Sequence, residues 1–372
     1  MGKQLVLAGG GHAHMVTLAN LGQFVAKGHQ VTVIQPSVYH YYSGMGPGLL
    51  GRTYRPEDIR FATRQLVEKN GGRFILDKVA RIDAERKKVV LVSGGEVAYD
   101  VLSCNTGSYV STAIVRGEVA DLFTVKPIDQ LLKAQKRIVQ LVARQKITIT
   151  IIGGGPAATE IAGNVWRLAQ DNGGYAPHIR VCAGREFLGR FPAGVRRKAF
   201  DSLSSRGIEI LEGERVQAVA AGRVVFASGQ ELATDLVFLA LGVVPSPIFM
   251  DSGLPTGPDG GLLVNEDLQC KAHPEIFGGG DCIFYEKQPL DKVGVYAVRQ
   301  NPVLFHNLMA SLDGGSLQSF SPGGDYLLIF NMGDDTGVLH KWGMTFAGRL
   351  AFTIKDAIDR KFMRRFQALE TK

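Results

Sequence analysis

The sequence predicts an α/β protein with two Rossmann-like, three-layer ββα dinucleotide-binding domains and a small C-terminal domain. Two observations carry this prediction. A short apolar run at the start of the chain ends in the glycine-rich residues 9–14, and the same order of strand, glycines and helix recurs at residues 148–160. Coincidence rarely produces two such units in a chain of 372 residues, which is long enough for two or three domains.

The first unit runs from the strand at residues 5–8 through the sequence GGGHAH to an expected helix over 14–27 and a strand over 30–35. Glycines let the backbone approach a pyrophosphate, and the free N–H groups of the helix N-terminus attract its charge. His14 stands at the third glycine of the fingerprint, and Gln35 stands where an acidic ribose ligand is usual. Taken alone, this unit fits an ordinary α/β turn equally well.

The second unit matches the fingerprint better. Gly153, Gly155 and Ala158 occupy its positions, and Pro156 suits the first turn of a helix. The strand at 178–183 ends without the expected acidic residue, in the sequence AGR. Its Arg185 is either a partner for the 2′-phosphate of NADP or a basic loop residue. Two dinucleotide sites in one chain indicate electron transfer between a flavin and a nicotinamide.

The chain between the two units contains an aromatic loop and a meander. The loop, residues 36–48, is expected beside the flavin ring, where His40 or Tyr41 could hydrogen-bond a substrate; ordinary packing is the alternative. A helix over 56–70 should follow. Short alternating runs then predict an antiparallel meander built from residues 73–76, 79–82, 88–92 and 96–99.

Two further helices are expected in the rest of the core. Apolar residues at helical spacing predict one over 128–144, which leads into the second unit. Another should open at Gly294 and run to about residue 310. With its N-terminus directed at the flavin C2 carbonyl, this helix would stabilise an anionic reduced flavin.

Composition limits the cellular setting. The balance of 45% hydrophobic and 21% charged residues is that of a folded soluble protein. The four cysteines are scattered and form no C-x-x-C pair or zinc-like cluster, so we expect a reducing, cytoplasmic compartment and no metal site. Residues 1–6 do not form a signal peptide, and prolines interrupt the longest apolar stretch, residues 236–250. The net charge of +7 is modest, and no nucleic-acid-binding module is present.

Four landmarks in order resemble the two-dinucleotide-binding flavoproteins of the pyridine nucleotide–disulfide oxidoreductase superfamily. They are the first glycine loop, residues 102–107, the second loop through Glu160, and Gly280-Asp281. Within this superfamily the sequence resembles the branch of type II NADH dehydrogenases and sulfide:quinone reductases. Residues 43–45, 296–300 and 354–363 are similar to the oxidoreductase found fused in front of selenide, water dikinase.

The resemblance implies FAD near Gly9, Gly11 and His12, with Asp281 on the ribityl chain, and NAD(P)H as co-substrate. It implies an FAD-binding domain at residues 1–110 and 245–312, an NAD(P)-binding-like domain at 111–244, and a C-terminal segment at 313–372. The residues expected in catalysis are Glu160, Tyr296 and His40. The residues expected to bind cofactors are Gly9, Gly11, His12, Ala13, Gln35, Pro47, Thr106, Gly107, Gly153, Gly155, Pro156, Gly242, Gly280, Asp281, Val295 and Tyr296.

Three functional hypotheses remain open at this point. The first is an FAD enzyme that takes electrons from NAD(P)H and passes them to a quinone or similar acceptor. The second is oxidation of sulfide or a selenium species, which would require Cys104 or Cys282 to be redox-active; both are also typical of small buried hydrophobic residues. The third is a flavin-binding regulatory protein with a degenerate nicotinamide site.

The tail suggests a membrane contact. Residues 342–367 alternate apolar with basic side chains, as in an amphipathic helix that lies in a membrane interface and guides a quinone to the flavin. The alternatives are a helix packed on the protein body and a helix in a homodimer interface.

Overall fold

The computed structural model describes residues 2–371. Its first part, up to residue 109, is a parallel sheet with helices and a small antiparallel meander. The elements are β1 (Gln4–Ala8), α1 (Met15–Ala19), α2 (Leu21–Ala26), β2 (Gln30–Gln35), β3 (His40–Tyr41), α3 (Gly46–Leu50), β4 (Arg60–Phe61), α4 (Thr63–Lys69), β5 (Arg73–Leu76), β6 (Val79–Asp83), β7 (Lys88–Leu91), β8 (Glu96–Ala98), β9 (Val101–Cys104) and β10 (Ser108–Tyr109).

The second part repeats this plan, with a parallel sheet in the order β11-β18-β12-β13-β14 and an antiparallel meander β15-β16-β17. Its elements are β11 (Leu122–Thr124), α5 (Asp129–Val142), β12 (Thr148–Ile152), α6 (Pro156–Asn172), β13 (His178–Cys182), α7 (Ala193–Ser204), β14 (Glu209–Leu211), β15 (Val216–Ala220), β16 (Arg223–Phe226), β17 (Glu231–Ala233), β18 (Leu236–Leu239) and β19 (Val244–Pro245).

The chain then returns to the first sheet and ends in a separate antiparallel sheet, β23-β24-β25, with a long helix. The elements are α8 (Ile248–Asp251), β20 (Leu262–Val264), β21 (Ile276–Gly278), β22 (Ile283–Tyr285), α9 (Gly294–Asp313), β23 (Leu328–Asn331), β24 (Gly337–Lys341), β25 (Met344–Gly348) and α10 (Arg349–Thr371). Because β21 pairs with β9, the first sheet has the order β21-β9-β1-β2-β5.

The central strands of both parallel sheets are mostly apolar. Leu5, Leu7, Ile149 and Ile151 are fully buried, as expected for strands covered on both faces. In the first sheet Ala8 pairs with Ile34 of β2 on one side and with Cys104 of β9 on the other. The residues that follow β1 and β9 therefore meet at one edge of the sheet, where parallel α/β sheets bind ligands.

Helix α10 connects the C-terminal sheet to the first part of the chain. Ala351, Met363 and Phe366 are buried on it, and it packs against β23 and β24 at one end and against β4 and α4 at the other. The carboxylate of Glu370 accepts a hydrogen bond from the backbone N–H of Ala62 at 2.9 Å. Within residues 2–371, none of the helices combines the length and apolar character needed to cross a lipid bilayer.

The segment before the first meander differs from the prediction. Residues 36–48 are not one loop, because β3 and α3 form within them, with Met45, Leu49 and Leu50 buried. The prediction of a single helix over residues 56–70 was also wrong. A 3-10 turn, Pro56–Ile59, is followed by β4, which pairs with β3 and buries Phe61 before α4 begins.

Three other boundaries need correction. Residues 73–76 form the edge strand β5 of the parallel sheet, paired with β2, and do not belong to the meander. The first helix is divided at Asn20 into α1 and α2, since the Asn20 side chain bonds to the Val16 carbonyl at 2.9 Å. The tail is helical only from Arg349, because β24 and β25 form a hairpin that turns at Trp342.

Candidate active site

The first glycine loop lies against the turn that follows β9. Gly9 has φ +97°, and a Cβ there would lie 2.3 Å from the carbonyl oxygen of Asn105. A Cβ on Gly11 would lie 2.9 Å from Nδ2, the side-chain amide nitrogen of Asn105. At position 9 only glycine fits both the backbone angle and this close approach. The loop and the turn therefore form one compact cradle at the carboxyl edge of the sheet.

His14, which replaces the third glycine, stabilises this cradle through hydrogen bonds. Its side chain is fully buried, with Nδ1 2.6 Å from the carbonyl oxygen of Gly9 and Nε2 2.7 Å from the hydroxyl of Ser103. Burial lowers the pKa of His14 to about 4, so the ring is neutral at pH 7. A carbonyl only accepts, so Nδ1 carries the proton and donates to Gly9, and Nε2 accepts from Ser103.

Gln35 holds the loop from the other side. Its amide oxygen accepts a hydrogen bond from the Gly10 N–H at 3.0 Å, and its amide nitrogen donates to the carbonyls of Ser37 at 2.6 Å and Tyr39 at 2.9 Å. A carboxylate could not donate to these two carbonyls. The amide therefore suits a residue that joins the glycine loop to the segment after β2, and any contact with a ribose stays a prediction.

Three buried polar atoms beside the cradle have no hydrogen-bond partner among residues 2–371: His12 Nε2, Asn105 Nδ2 and Thr106 Oγ1. Leaving such a group unpaired costs about 1–3 kcal/mol. Phosphate and sugar oxygens are suitable partners for an amide N–H, a hydroxyl and an imidazole N–H. The glycines and these unpaired atoms together fit a dinucleotide at this edge.

His12 and His40 form a neutral pair. Nε2 of His40 lies 3.0 Å from Nδ1 of His12, and the rings meet edge to face. Burial lowers the pKa of His12 to about 3, and the positive charge of Lys126 adds to this effect. Burial, His12 and Lys126 hold the pKa of His40 well below its usual range. One ring must donate and the other accept, which leaves His12 Nε2 as an unused buried atom.

Asp281 forms a partly buried ion pair with Lys126. Nζ of Lys126 lies 2.6 Å from Oδ2 of Asp281, which also accepts a hydrogen bond from Ser108 at 2.7 Å. Burial opposes ionisation of Asp281, but Lys126 and Ser108 outweigh it and lower the pKa of this carboxyl. The pair connects the turn after β21 to the segment between β11 and α5.

Helix α9 is fastened to both glycine turns of the first sheet. The side-chain oxygen of Gln300 accepts a hydrogen bond from the N–H of Gly280 at 2.7 Å. Asn301 accepts from the N–H of Val16 at 2.9 Å and donates to the carbonyl of His12. These two buried amides bring Gly280 and His12 close to one helix.

The first turn of α9 carries Val295 and Tyr296. Tyr296 packs edge-on against Tyr326, with ring centroids 5.8 Å apart. No hydrogen bond within residues 2–371 joins Tyr296 or Glu160 to His40. The three residues predicted for catalysis therefore share no direct hydrogen bond. Pro47 lies at the start of α3.

The second glycine loop has the same design as the first. Gly153 has φ +142°, and a Cβ there would lie 2.2 Å from the carbonyl oxygen of Ala240. A Cβ on Gly155 would meet no other described atom within 4 Å, so the approach to Pro156 and the N-terminus of α6 is open. Gly242, at φ +91°, follows β18 at the same edge. An open helix N-terminus is suited to a phosphate.

Glu160, one turn into α6, lies at the boundary with the C-terminal sheet. Its Oε1 accepts a hydrogen bond from the N–H of Asn331 at 2.8 Å. Burial raises the pKa of Glu160 to about 7, although Lys355 and the Asn331 bond act in the opposite direction. A carboxyl group with this pKa can both accept and release a proton near neutral pH.

Helix α10 supplies a buried ion pair next to Glu160. Nζ of Lys355 lies 2.6 Å from Oδ2 of Asp359 and 2.7 Å from the carbonyl oxygen of Gly44. Oδ1 of Asp359 accepts a hydrogen bond from the Tyr42 hydroxyl at 3.0 Å. Burial opposes the charge of Lys355, but Asp359 and Glu160 outweigh it and raise its pKa. The Tyr42 ring in turn lies 5.1 Å from the His12 ring, centroid to centroid.

Sequence reasoning missed several residues of this site: Asn105, Lys126, Tyr42, Lys355 and Asp359. The spacing of Lys355 and Asp359, four residues apart in a helix, was a signal for an ion pair, but not for its burial. Lys126 lies 155 positions from its partner, so no local pattern indicates that contact.

Two glycine-rich loops, each at the carboxyl edge of a parallel sheet, define a class of oxidoreductase with two dinucleotide-binding folds. A pyridine nucleotide-disulphide oxidoreductase family model matches residues 3–307, and the chain belongs to this family. The predicted fold class, superfamily and oxidoreductase activity are confirmed.

Two similar proteins align with nearly the whole chain. The type II NADH:quinone oxidoreductase of Staphylococcus epidermidis is 24% identical over 385 residues, covering 96% of this chain and 94% of that protein. The demethylphylloquinone reductase of Synechocystis is 25% identical over 366 residues, covering 94% and 89%.

Solved structures share the whole fold. The sulfide:quinone oxidoreductase of Aquifex aeolicus superposes with a TM-score of 0.79 at 20% identity, covering 99% of this chain and 92% of that chain. NDH2 of Plasmodium falciparum in complex with NADH superposes with a TM-score of 0.84 at 15% identity, covering 100% and 97%.

Proposed function

We propose that this protein is an FAD-dependent oxidoreductase that passes electrons from NAD(P)H through the flavin to a quinone. The observation that supports this proposal most strongly is the position of Glu160. This carboxyl group stands one turn from the second glycine loop and beside the Lys355–Asp359 pair, whose partner Tyr42 reaches towards His12 at the first loop. A series of contacts therefore runs from Glu160 through the ion pair and Tyr42 towards the first cradle.

The residues that would hold FAD are those of the first cradle. Gly9 and Gly11 give the backbone access to the pyrophosphate, and Asn105 and Thr106 offer their unpaired atoms. Asp281 is kept ionised by Lys126, which suits a carboxylate that accepts hydrogen bonds from sugar hydroxyls. When bound, FAD accepts two electrons as hydride and passes them to a second substrate.

The pyridine nucleotide would lie on the second cradle. Gly153 and Gly155 allow its phosphates to approach the free N–H groups of α6, and the open space at Gly155 leaves room for them. Glu160, in the same helix, would then lie on the nicotinamide side of the flavin.

Reduction of a quinone by NAD(P)H consumes one proton from solution, because the hydride brings two electrons and one proton while the quinol needs two protons. Glu160 can supply such a proton near pH 7, and Lys355 stabilises its ionised form afterwards. Asp359 fixes Lys355, and Tyr42 fixes Asp359. The pairing keeps Lys355 charged beside Glu160.

The proposed quinone acceptor suggests that the protein works at a membrane surface. The C-terminal apolar patch consists of Trp342, Met344, Phe346, Leu350 and Ile358, all exposed. Basic residues border it, and Nζ of Lys341 lies 4.2 Å from the Trp342 ring centroid. Exposed aromatic residues beside basic ones are typical of proteins that lie on a membrane interface. We infer that this patch, and not the whole of α10, makes a peripheral membrane contact.

Sulfide or selenium chemistry is the second candidate, favoured by the similarity to the Aquifex sulfide:quinone oxidoreductase and by the resemblance to the kinase-fused oxidoreductase. The cysteines argue against it. Cys104 and Cys282 are fully buried, and burial raises the pKa of both thiols. A protonated, inaccessible thiol is a poor nucleophile.

The deciding experiment is anaerobic addition of NADH, NADPH or sulfide, each separately, to the FAD-loaded protein, followed by a soluble quinone. Bleaching of the flavin band by a pyridine nucleotide and its recovery with quinone are expected. Bleaching by sulfide alone would favour the second candidate. No bleaching by any donor would favour a flavin-binding protein with a degenerate nicotinamide site.

A further inference from the structure

The end of β13 lacks the carboxylate that selects NADH. The strand ends at the buried Cys182 and is followed by Ala183. In Rossmann-type folds an acidic residue near this point accepts hydrogen bonds from the adenosine ribose of NAD, and an arginine nearby accommodates the 2′-phosphate of NADP.

Two arginines with free guanidinium groups flank this strand end. The segments that carry them lie side by side: the carbonyl of Arg185 accepts a hydrogen bond from the N–H of Gly213 at 3.2 Å, and Gly184 bridges to Glu214. The Arg215 side chain passes 3.8 Å from the position of a Cβ on Gly184. Within residues 2–371, neither guanidinium has a hydrogen-bond or ion-pair partner, and both residues are exposed.

The nearby carboxylates already accept hydrogen bonds from other groups. Oε1 of Glu186 lies 2.5 Å from a guanidinium nitrogen of Arg196, and Glu212 lies 2.9 Å from the same arginine and accepts from the N–H of Phe187 at 2.5 Å. Glu214 accepts a hydrogen bond from the N–H of Ser228. Because Arg196 engages Glu186 and Glu212, these two carboxylates leave the guanidinium groups of Arg185 and Arg215 available to an anion.

We propose that Arg185 and Arg215 form a 2′-phosphate site and that the protein uses NADPH in preference to NADH. The inference rests on the proposed function for its catalytic consequence, but the site itself predicts a binding preference that needs no chemistry. A guanidinium forms charge-assisted hydrogen bonds with phosphate oxygens, and a ribose without the phosphate leaves both arginines unused.

The binding test uses the FAD-loaded protein and two fragments, 2′,5′-ADP and 5′-AMP, in titration calorimetry at low and at moderate salt. We expect 2′,5′-ADP to bind at least about tenfold more tightly, because each phosphate–guanidinium contact is worth roughly a factor of ten. Arg185→Gln and Arg215→Gln should each remove most of that preference and leave 5′-AMP binding unchanged. Arg223→Gln, which removes an exposed arginine paired with Glu231 in the meander, is the matched control and should change neither.

The kinetic test measures reduction of the bound flavin by NADPH and NADH in a stopped-flow instrument. Faster or tighter reaction with NADPH, lost in Arg185→Gln with NADH unaffected, supports the proposal. Equal binding of the two fragments, or equal losses with both coenzymes in the arginine variants, overturns it. If neither coenzyme reduces the flavin, the proposed function fails, while the fragment titration still decides the phosphate site.

Discussion

Lys355 and Asp359 lie one helical turn apart with their charged atoms 2.6 Å from each other, and both residues are buried. Removing one member of a buried ion pair leaves an uncompensated charge, which costs about 3–5 kcal/mol. We therefore expect Lys355→Met to lower the free energy of unfolding by about that amount in urea denaturation. The double variant Lys355→Met/Asp359→Leu should recover most of the loss. A single variant within about 1 kcal/mol of the wild type would contradict the pairing.

Glu160→Gln should separate the two half-reactions. We expect reoxidation of the reduced flavin by quinone to slow by about 10²-fold, the usual size of a general acid–base contribution, while the dissociation constant for the pyridine nucleotide changes little. The wild-type rate of quinone reduction should depend on a group with an apparent pKa of about 7, and this dependence should be absent from the variant. The same pH profile in both proteins would exclude Glu160 as the proton donor.

Glu160 also predicts a pH dependence of stability. Its pKa is about 7 in the folded protein, against an ordinary value of 4.5, so the folded state binds the proton more tightly. The contribution of Glu160 to the free energy of unfolding is therefore full below pH 4.5 and is lost as the pH rises to about 7. Because the side chain keeps some access to solvent, we expect a loss of about 1–2 kcal/mol. In urea titrations at pH 4.5 and 7.5, Glu160→Gln should lack this difference, and retention of it would assign the effect to another group.

His14 predicts the opposite slope in a more acidic window. Its pKa is lowered to about 4 from 6.5, so its contribution to stability is full above pH 6.5 and is lost as the pH falls towards 4. The loss amounts to at most about 3 kcal/mol. His14→Gln should show a shallower fall in the free energy of unfolding over this range. If the free energy of unfolding depends on pH in the same way in both proteins, then the neutral His14 ring does not stabilise the glycine loop.

The C-terminal apolar patch can be tested without removing α10, whose Met363 and Phe366 are buried in the core. Trp342→Ser/Phe346→Ser should weaken binding to anionic liposomes by at least tenfold, since each large apolar side chain contributes roughly 1.5–3 kcal/mol on burial. The matched control is Leu76→Ser/Val92→Ser, which alters two equally exposed apolar residues of the first part of the chain. Equal sedimentation of both variants with the liposomes would contradict a membrane role for the patch.

The cysteines distinguish a flavin-only mechanism from sulfur transfer. We expect Cys104→Ala and Cys282→Ala to keep NAD(P)H-dependent quinone reduction within about threefold of the wild type, with a stability loss of about 1–2 kcal/mol from the small cavities. Cys270→Ala, at another buried position, gives the cavity effect alone. Loss of turnover in either of the first two variants, with FAD still bound, would favour a redox role for that thiol.

The sequence could predict the elements whose signals are local. Both glycine loops, their flanking strands and α9 follow from glycine spacing and apolar runs, and Gly9, Gly153 and Gly280 adopt the positive φ angles that such turns require. The short elements β3 and β4 were missed, because two-residue strands form only when distant segments pair. The Lys126–Asp281 and Tyr42–Asp359 contacts were beyond prediction for the same reason, since tertiary folding alone brings these residues together.

The proposed function is tested most directly by anaerobic reduction of the FAD-loaded protein, followed by addition of a soluble quinone. We predict that NADPH or NADH bleaches the flavin band rapidly and that sulfide does not. Quinone should restore the band in the wild type but about 10²-fold more slowly in Glu160→Gln. A flavin that no pyridine nucleotide reduces, while FAD remains bound, would contradict it.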